Sequence, residues 1–342
     1  MIIYRGENGC EDLAEGLSVD IRHLSFRLLQ VYVQVVRLAA VSAAARLLHL
    51  TQPTVSLQLK KLADEVGQPL LEYREGKVHT TYIGDALFQA SSDVLSRFDD
   101  FSSLLEEAKG GRSGTLSLGI VTTAKYVMPT ILGAFDKANP KIAVTLNVGN
   151  RAHILNRFGH QDDDLYLFSQ PPSGELVQAC RIIKNPLQLI APADHWASRY
   201  CAEGGELAFS QLKNERFLMR EPGSATRMQF ESWLSSQGVE LSKTMQIESN
   251  EAIRLSVASG LGLAVLSRYT LDQNSGQFRV LKVKGFPLNS HWYLVARKDK
   301  RLSAPARRLI QFITEHLTDC LEAQWVVDDI AQLPLHFFPS AE

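Results

Sequence analysis

Within the stretch Thr51 to Leu62, Gln52, Thr54 and Ser56 carry groups that can hydrogen-bond base edges or phosphates, and Leu57 can contact a thymine methyl. Lys60 and Lys61, with Lys77 and His79 further on, can reach phosphates. At helical spacing Val55, Leu59 and Leu62 share one face, and Pro53, Leu57, Lys60 and Lys61 lie opposite. One face packs and the other is free, either to meet a duplex or, in an ordinary three-helix core, only to be solvated.

A second set of residues suits an anion. Thr122 and Thr123 end an apolar strand and begin a helical stretch through Lys125 and Tyr126. Arg220-Glu221-Pro222-Gly223-Ser224-Ala225-Thr226-Arg227 brings a glycine turn, two hydroxyls and two arginines to the start of a helix expected over 228–236. Free N–H groups and the dipole at helix starts favour negative charge. Enzyme signatures are missing from the sequence: there is no His-Glu-x-x-His, no phosphate-loop string and no Gly-x-Ser-x-Gly. Gly260-Leu261-Gly262 follows a helical pattern instead of preceding one, so it reads as a helix end and a tight turn. Cys10, Cys180, Cys201 and Cys320 have no metal or disulfide spacing and read as buried free thiols. Neither a metal nor a catalytic residue is expected.

These residues need elements to hold them. Ser25 to Val36 has the spacing of an amphipathic helix, Ser42 is a plausible cap for a second helix over 43–48, and Thr51 for a third, with Pro53 in its first turn and Gly67 at its end. Ala44 and Ala45 let two helices cross closely, as a helix-turn-helix requires. Arg74 to His79 suits a β-wing around Gly76. Thr81 then caps a helix reaching Lys109, about 40 Å long at 1.5 Å per residue. Its apolar residues Leu87, Val94, Phe98, Phe101 and Leu105 follow a heptad seam with Ser91 in the one gap, which is a dimerisation signal. After Gly110 to Gly114, short apolar strands alternate with helical segments, the pattern of an α/β sheet.

The chain has 342 residues, enough for two or three domains, and 36 basic against 37 acidic side chains, so total charge argues for neither nucleic acid nor membrane. Between residues 20 and 90 the balance is 8 basic to 6 acidic, also uninformative. No apolar run has the length of a membrane span and no secretion signal opens the chain, so a cytoplasmic protein is expected.

The wording of residues 43–62, AAARLLHLTQPTVSLQLKKL, followed by Gly67-Gln68-Pro69-Leu70-Leu71-Glu72, resembles the LysR-type transcriptional regulators. The resemblance covers about residues 20–317 and assigns Gln52, Pro53, Ser56 and Leu57 to base reading. Ala39 and Ala40 depart from it, standing where a glycine and a serine are usual, and Ala63 stands where a glutamate is usual. The implied fold is α/β with an all-α, winged N-terminal domain: a winged helix-turn-helix, a long linker helix and a two-lobed Rossmann-like effector-binding domain of the type-2 periplasmic-binding-protein kind. The expected division is a leader (1–19), DNA-binding domain (20–81), linker helix (82–109), hinge (110–114), effector domain (115–318, second lobe about 192–268) and tail (319–342).

Further strings, Gly119 to Tyr126, Val148-Gly149-Asn150-Arg151, Gln170-Pro171-Pro172, Leu218 to Ser224 and Ser249-Asn250-Glu251, are similar to one branch of that family, the CbbR-type regulators of RuBisCO and Calvin-cycle genes. They add Lys125, Asn150, Gln170 and Glu251 to the effector residues. The branch implies a phosphorylated metabolite such as ribulose bisphosphate, NADPH or ATP as effector, and carbon dioxide fixation genes as target. Expected partners are an operator in double-stranded DNA, a small anion and a second or further copies of the chain (homodimer or homotetramer), with RNA polymerase a candidate and no membrane. Regulation of another metabolic operon and a non-regulatory solute-binding protein are the alternatives, the latter lacking any use for the helix-turn-helix.

Overall fold

The computed structural model describes residues 24–74, 77–108, 113–271 and 276–338, so the leader, Cys10, the wing tip Glu75-Gly76, Lys109, Gly110 to Arg112 and the last four residues lie outside it. The chain divides into two compact units, residues 1–99 and 100–342.

The first unit is built from α1 (Phe26–Leu38), α2 (Val41–Leu47), α3 (Gln52–Val66), β1 (Leu71–Arg74), β2 (Lys77–Thr80) and the start of α4 (Tyr82–Ala108). Ser25 caps α1 by accepting from Leu28 N–H, and Thr51 caps α3 by accepting from Thr54 N–H. The cap of α2 is Ala40, which makes no side-chain bond, and not Ser42, which falls inside the first turn because the helix begins at Val41. Val55, Ala44 and Ala45 are buried together with Val31, Val35 and Val78, which fixes the crossing of α2 and α3. β1 and β2 pair antiparallel as the wing.

α4 docks through its first turn. Thr81 Oγ1 accepts from Gly84 N–H at 3.0 Å and donates to Pro69 O at 2.7 Å, and Tyr32 donates its hydroxyl to Gly84 O at 2.8 Å. A Cβ at Gly84 would lie 2.0 Å from Leu70 O, so only glycine allows this approach. Leu87 is half-buried against the core of Tyr32, Leu62 and Phe88, and Ser91 is buried. Leu87 therefore serves its own domain first. Val94, Phe98, Phe101 and Leu105 are exposed.

The second unit has two lobes, each on a five-stranded mixed sheet. In chain order its elements are β3 (Gly114–Val121), a 3-10 turn (Thr122–Tyr126), α5 (Met128–Ala138), β4 (Ile142–Gly149), α6 (Arg151–Gly159), β5 (Leu165–Phe168), β6 (Val177–Lys184), β7 (Leu187–Pro192), α7 (Trp196–Ala202), β8 (Arg216–Met219), α8 (Ala225–Ser236), β9 (Lys243–Gln246), α9 (Asn250–Ala258), β10 (Leu263–Ser267), β11 (Phe278–Val280), β12 (His291–Arg297), α10 (Ala304–Cys320) and α11 (Leu333–Phe337). The strand orders are β4-β3-β5-β12-β6 and β11-β7-β10-β8-β9. β7 and β11 thus extend the second lobe beyond the expected 192–268 at both ends.

Other expectations change as well. α8 begins at Ala225, three residues before the expected start, because Ser224 is already extended and leads the turn. Residues 321–338, without a legible pattern, pack: Val326, Leu333 and Phe337 are buried in the first-lobe core. Cys180, Cys201 and Cys320 are free but only partly buried, since they sit on strand and helix positions at the rim of the cores. Gly260 has φ 83° just past α9, the expected helix-end glycine, and a Cβ at Gly262 would meet Arg216 O at 2.5 Å. Among the described residues no helix is long and apolar enough to cross a membrane.

Candidate DNA-reading face and effector cleft

On α3, Gln52, Pro53, Ser56, Leu57, Lys60 and Lys61 are all exposed, while Val55 and Leu62 are fully buried. Leu57, with 68% of its surface open, is an apolar contact that the described residues of its own domain leave uncovered. Thr54 is half-buried and its hydroxyl lies 2.7 Å from that of Thr51, so it helps close the cap. Lys77 and His79 are exposed on β2 while Val78 between them is buried, which gives the wing a polar outer side. This face offers donors, acceptors, the branched apolar side chain of Leu57 and cations on a rigid helix and hairpin.

The second site lies between the lobes of the effector half, as expected for parallel strands whose carboxyl ends meet helix starts. Thr122 and Thr123 follow the end of β3, Asn150 leads α6, and Ser224 and Thr226 open α8 from the other lobe. These residues, with Arg151, Ser169, Arg220 and Glu221, line a narrow cleft. Asn150 Oδ1 accepts from His153 N–H at 2.9 Å, and Thr122 donates its hydroxyl to Gly149 O at 3.0 Å. Ser224 makes no such capping bond, so its hydroxyl remains available to the cleft.

Two guanidinium groups face this space in different states. Arg220 is buried and committed: Nε and Nη2 donate to the two Glu221 carboxylate oxygens, each at 2.8 Å, and Nη1 donates to Asn250 Oδ1 at 2.6 Å. Arg151, in the first turn of α6, donates Nε to Gln170 O at 3.3 Å and has no carboxylate partner among the described residues. Burial lowers its pKa from the ordinary arginine value. Arg151 is thus the guanidinium of the cleft lining that has no carboxylate partner among the described residues.

Three expected effector residues turn out to form a clasp beside the cleft, or only its edge. Lys125 pairs with Glu251, and Tyr126 donates its hydroxyl to the same carboxylate, joining the first lobe to α9 of the second. Ser249 adds a bond at 3.1 Å. Burial pushes the Glu251 pKa up, but the bonds from Lys125, Tyr126, its own backbone and Ser249 outweigh that and hold it at about 2. Burial and the same carboxylate push the Tyr126 phenol well above its ordinary value. Gln170 is exposed and offers its carbonyl to Arg151.

Arg227, expected as the charge of the site, faces elsewhere. Nε donates to Glu231 at 2.7 Å and Nη1 to Arg220 O at 2.9 Å, and the side chain lines a separate groove with Met219 and Gln246. At the third position of α8 it points along the helix to its i+4 carboxylate and not over the N-terminus. Of the ten expected effector residues, Thr122, Thr123, Asn150, Arg220, Ser224 and Thr226 come together in the cleft, while Arg151, Ser169 and Glu221 were missed. Arg151 had a signal: it follows the helix-capping Asn150.

Two family models match the chain: "Bacterial regulatory helix-turn-helix protein, lysR family" over residues 26–85, and "LysR substrate binding domain" over residues 109–318. The "HTH-type transcriptional activator CmpR" of Synechocystis sp. is 37% identical over 289 residues, covering 84% of this chain and 94% of that protein. A "RuBisCO operon transcriptional regulator" of Acidithiobacillus ferrooxidans is 36% identical over 297 residues, 86% of this chain and 95% of that one. The regulatory domain of Synechocystis CcmR, solved in complex with 2-PG, is similar at 32% identity and a TM-score of 0.55, covering 59% of this chain and 96% of that domain.

Proposed function

Because the chain belongs to the LysR family of DNA-binding transcriptional regulators, we propose that it controls carbon dioxide fixation genes in response to a small phosphorylated acid bound between its lobes. The target is taken from relatives named for the RuBisCO operon and from the branch strings of the sequence. In this reading α3 and the wing bind the operator through Gln52, Pro53, Thr54, Ser56, Leu57, Lys60, Lys61, Lys77 and His79. The protein acts in the cytoplasm as a homodimer or homotetramer and performs no catalysis of its own.

The observation that carries the effector class is the meeting of helix starts from both lobes at Thr122, Asn150 and Ser224 around the unpaired Arg151. Backbone N–H groups and hydroxyls supply donors, and a guanidinium supplies charge, the combination that a phosphate requires. Arg220, held by Glu221, orients instead of competing. The narrow cleft favours a small acid or sugar phosphate over NADPH or ATP, which would need it to open much further. The relative solved with 2-PG makes that compound the first ligand to try.

Calorimetry on the full chain with 2-PG, ribulose bisphosphate, NADPH and ATP tests the reading. Arg151→Ala should weaken the small anion roughly ten- to a hundredfold, the loss of one charged hydrogen bond. Arg227→Ala should leave the affinity near wild type. Binding of neutral sugars or aromatic acids alone would reject the phosphorylated-acid reading and leave the regulator intact.

A further inference from the structure

Past the matched domain, residues 321–338 are fixed to the first lobe. Val326 bridges to Ile183, Val327 N–H donates to Ile182 O at 3.3 Å, and Lys184 pairs with Asp328 at 3.2 Å, so the segment lies along the edge strand β6. Its buried side chains Val326, Leu333 and Phe337 join the first-lobe core. Trp325, at the near end, reaches beyond that lobe. The Arg268 guanidinium lies over its indole, 3.7 Å from the ring centroid.

Arg268 belongs to the other lobe. It follows β10, in the 3-10 turn Arg268–Thr270, and its N–H donates to Pro186 O at 3.0 Å. Pro186 lies in one of the two crossings between the lobes. The crossings are short and tied to each other: Asn185 N–H donates to Ser290 O at 2.7 Å, and Ser267 donates its hydroxyl to Asn185 Oδ1 at 2.6 Å. Next to Arg268, Tyr269 packs on Trp292 of β12 at 4.8 Å and donates to Lys184 O at 3.2 Å. The same turn touches the 3-10 turn Thr122–Tyr126 that lines the cleft. Thus the Arg268 turn is where second-lobe chain leans on the first lobe, and Trp325 presses on it from outside.

We infer that residues 321–338 form a brace on the interlobe hinge, in which Trp325 holds Arg268 and so sets how readily the cleft opens. Any rotation that parts the lobes at the crossings moves Arg268 relative to an indole anchored in the first lobe. A partly desolvated cation over a tryptophan face resists that movement. The bland alternative is a cover for the edge strand β6, which would otherwise present unpaired backbone groups. That role needs Val326, Leu333 and Phe337 but makes no use of the contact between Trp325 and Arg268.

Hydrogen exchange on the full-length protein without ligand separates the two, and does not depend on what the cleft binds. The reporters are the N–H groups of Asn185, Leu187, Arg268 and Leu288, all bonded across or beside the crossings. Trp325→Ala and Arg268→Gln should each speed their exchange by about tenfold through local opening, with the β5 core strand Leu165–Phe168 unchanged. Arg268→Gln leaves the packing of the segment itself untouched, so it remains decisive if Trp325→Ala loosens the fold. Unchanged crossing amides in Arg268→Gln would overturn the brace, as would acceleration shared equally by Leu165–Phe168.

Discussion

Ala39 holds a left-handed backbone at φ 50°, and Ala40 caps α2 without a side-chain acceptor. Both are positions where the family resemblance sets a glycine and a serine, and the geometry supplies the reason. A left-handed L-residue costs roughly 1–2 kcal/mol, which glycine avoids, and a serine cap contributes about 1 kcal/mol over alanine. Ala39→Gly and Ala40→Ser should therefore each raise the stability of the DNA-binding unit by about 1 kcal/mol, read as a higher urea midpoint at unchanged slope. The face of α3 calls for the opposite kind of test. Ser56→Ala or Gln52→Ala should lower affinity for the operator by about 1–3 kcal/mol, the scale of one base contact, and leave binding to random DNA unaltered. Lys60→Ala should weaken all sequences alike and reduce the salt slope by about one unit. Equal footprints from wild type and both polar variants would remove these residues from the reading face.

At the scale of elements, the clasp between the Thr122–Tyr126 turn and α9 is a lobe-to-lobe tie whose charge state can be followed. Glu251 is held at about 2, below the unfolded value of about 4.3, so it stabilises the joined lobes fully above pH 4.3. That contribution fades as pH falls from about 4.3 toward 2, and is constant across neutral pH. Its carboxyl resonance should titrate near 2 in the intact protein and move upward in Lys125→Ala, because burial then acts with less opposition. A midpoint unmoved by Lys125→Ala would mean that the ion pair does not govern the carboxyl. Much of this architecture was legible in the chain. The helices of the first unit are set by local signals, Ser25, Thr51 and Gly67 among them, and the strands β3, β5, β7 and β10 are mostly apolar, with polar side chains only at Thr115, Ser117, Gln188 and Ser267. β6 was not read, since Gln178, Cys180 and Arg181 interrupt its apolar pattern on an edge strand. Arg227 was misassigned because sequence gives nearness to a helix start but not the direction of a long side chain, which Glu231 decides. The segment after α10 has no period of its own, as its helical turns are short and its apolar residues answer to β6 and α10.

At the scale of the whole molecule, α4 carries an apolar stripe that the described residues of its own chain do not cover. Val94, Phe98, Phe101 and Leu105 are 43%, 54%, 55% and 44% exposed along one helix, at the heptad spacing of a paired seam. Such a row on a 27-residue helix is best buried by the same helix of a second copy, because the pattern is self-complementary and the partner arrives with the same geometry. Phe98 also meets Phe26 of its own domain at 4.8 Å, so a change there disturbs two things at once. Phe101 is the cleaner probe. Phe101→Asp would place an unpaired charge in the seam, at a cost of several kcal/mol to the pair. Sedimentation of the full chain should then show smaller species than wild type, with the circular dichroism of both units preserved. Operator affinity should fall along with the assembly, since two half-sites are then read by separate molecules and the effective concentration of the second is lost. Phe101→Leu, which keeps the seam apolar, should restore both assembly and affinity. An unchanged sedimentation coefficient for Phe101→Asp would place the stripe outside the interface and leave the oligomer to other surfaces.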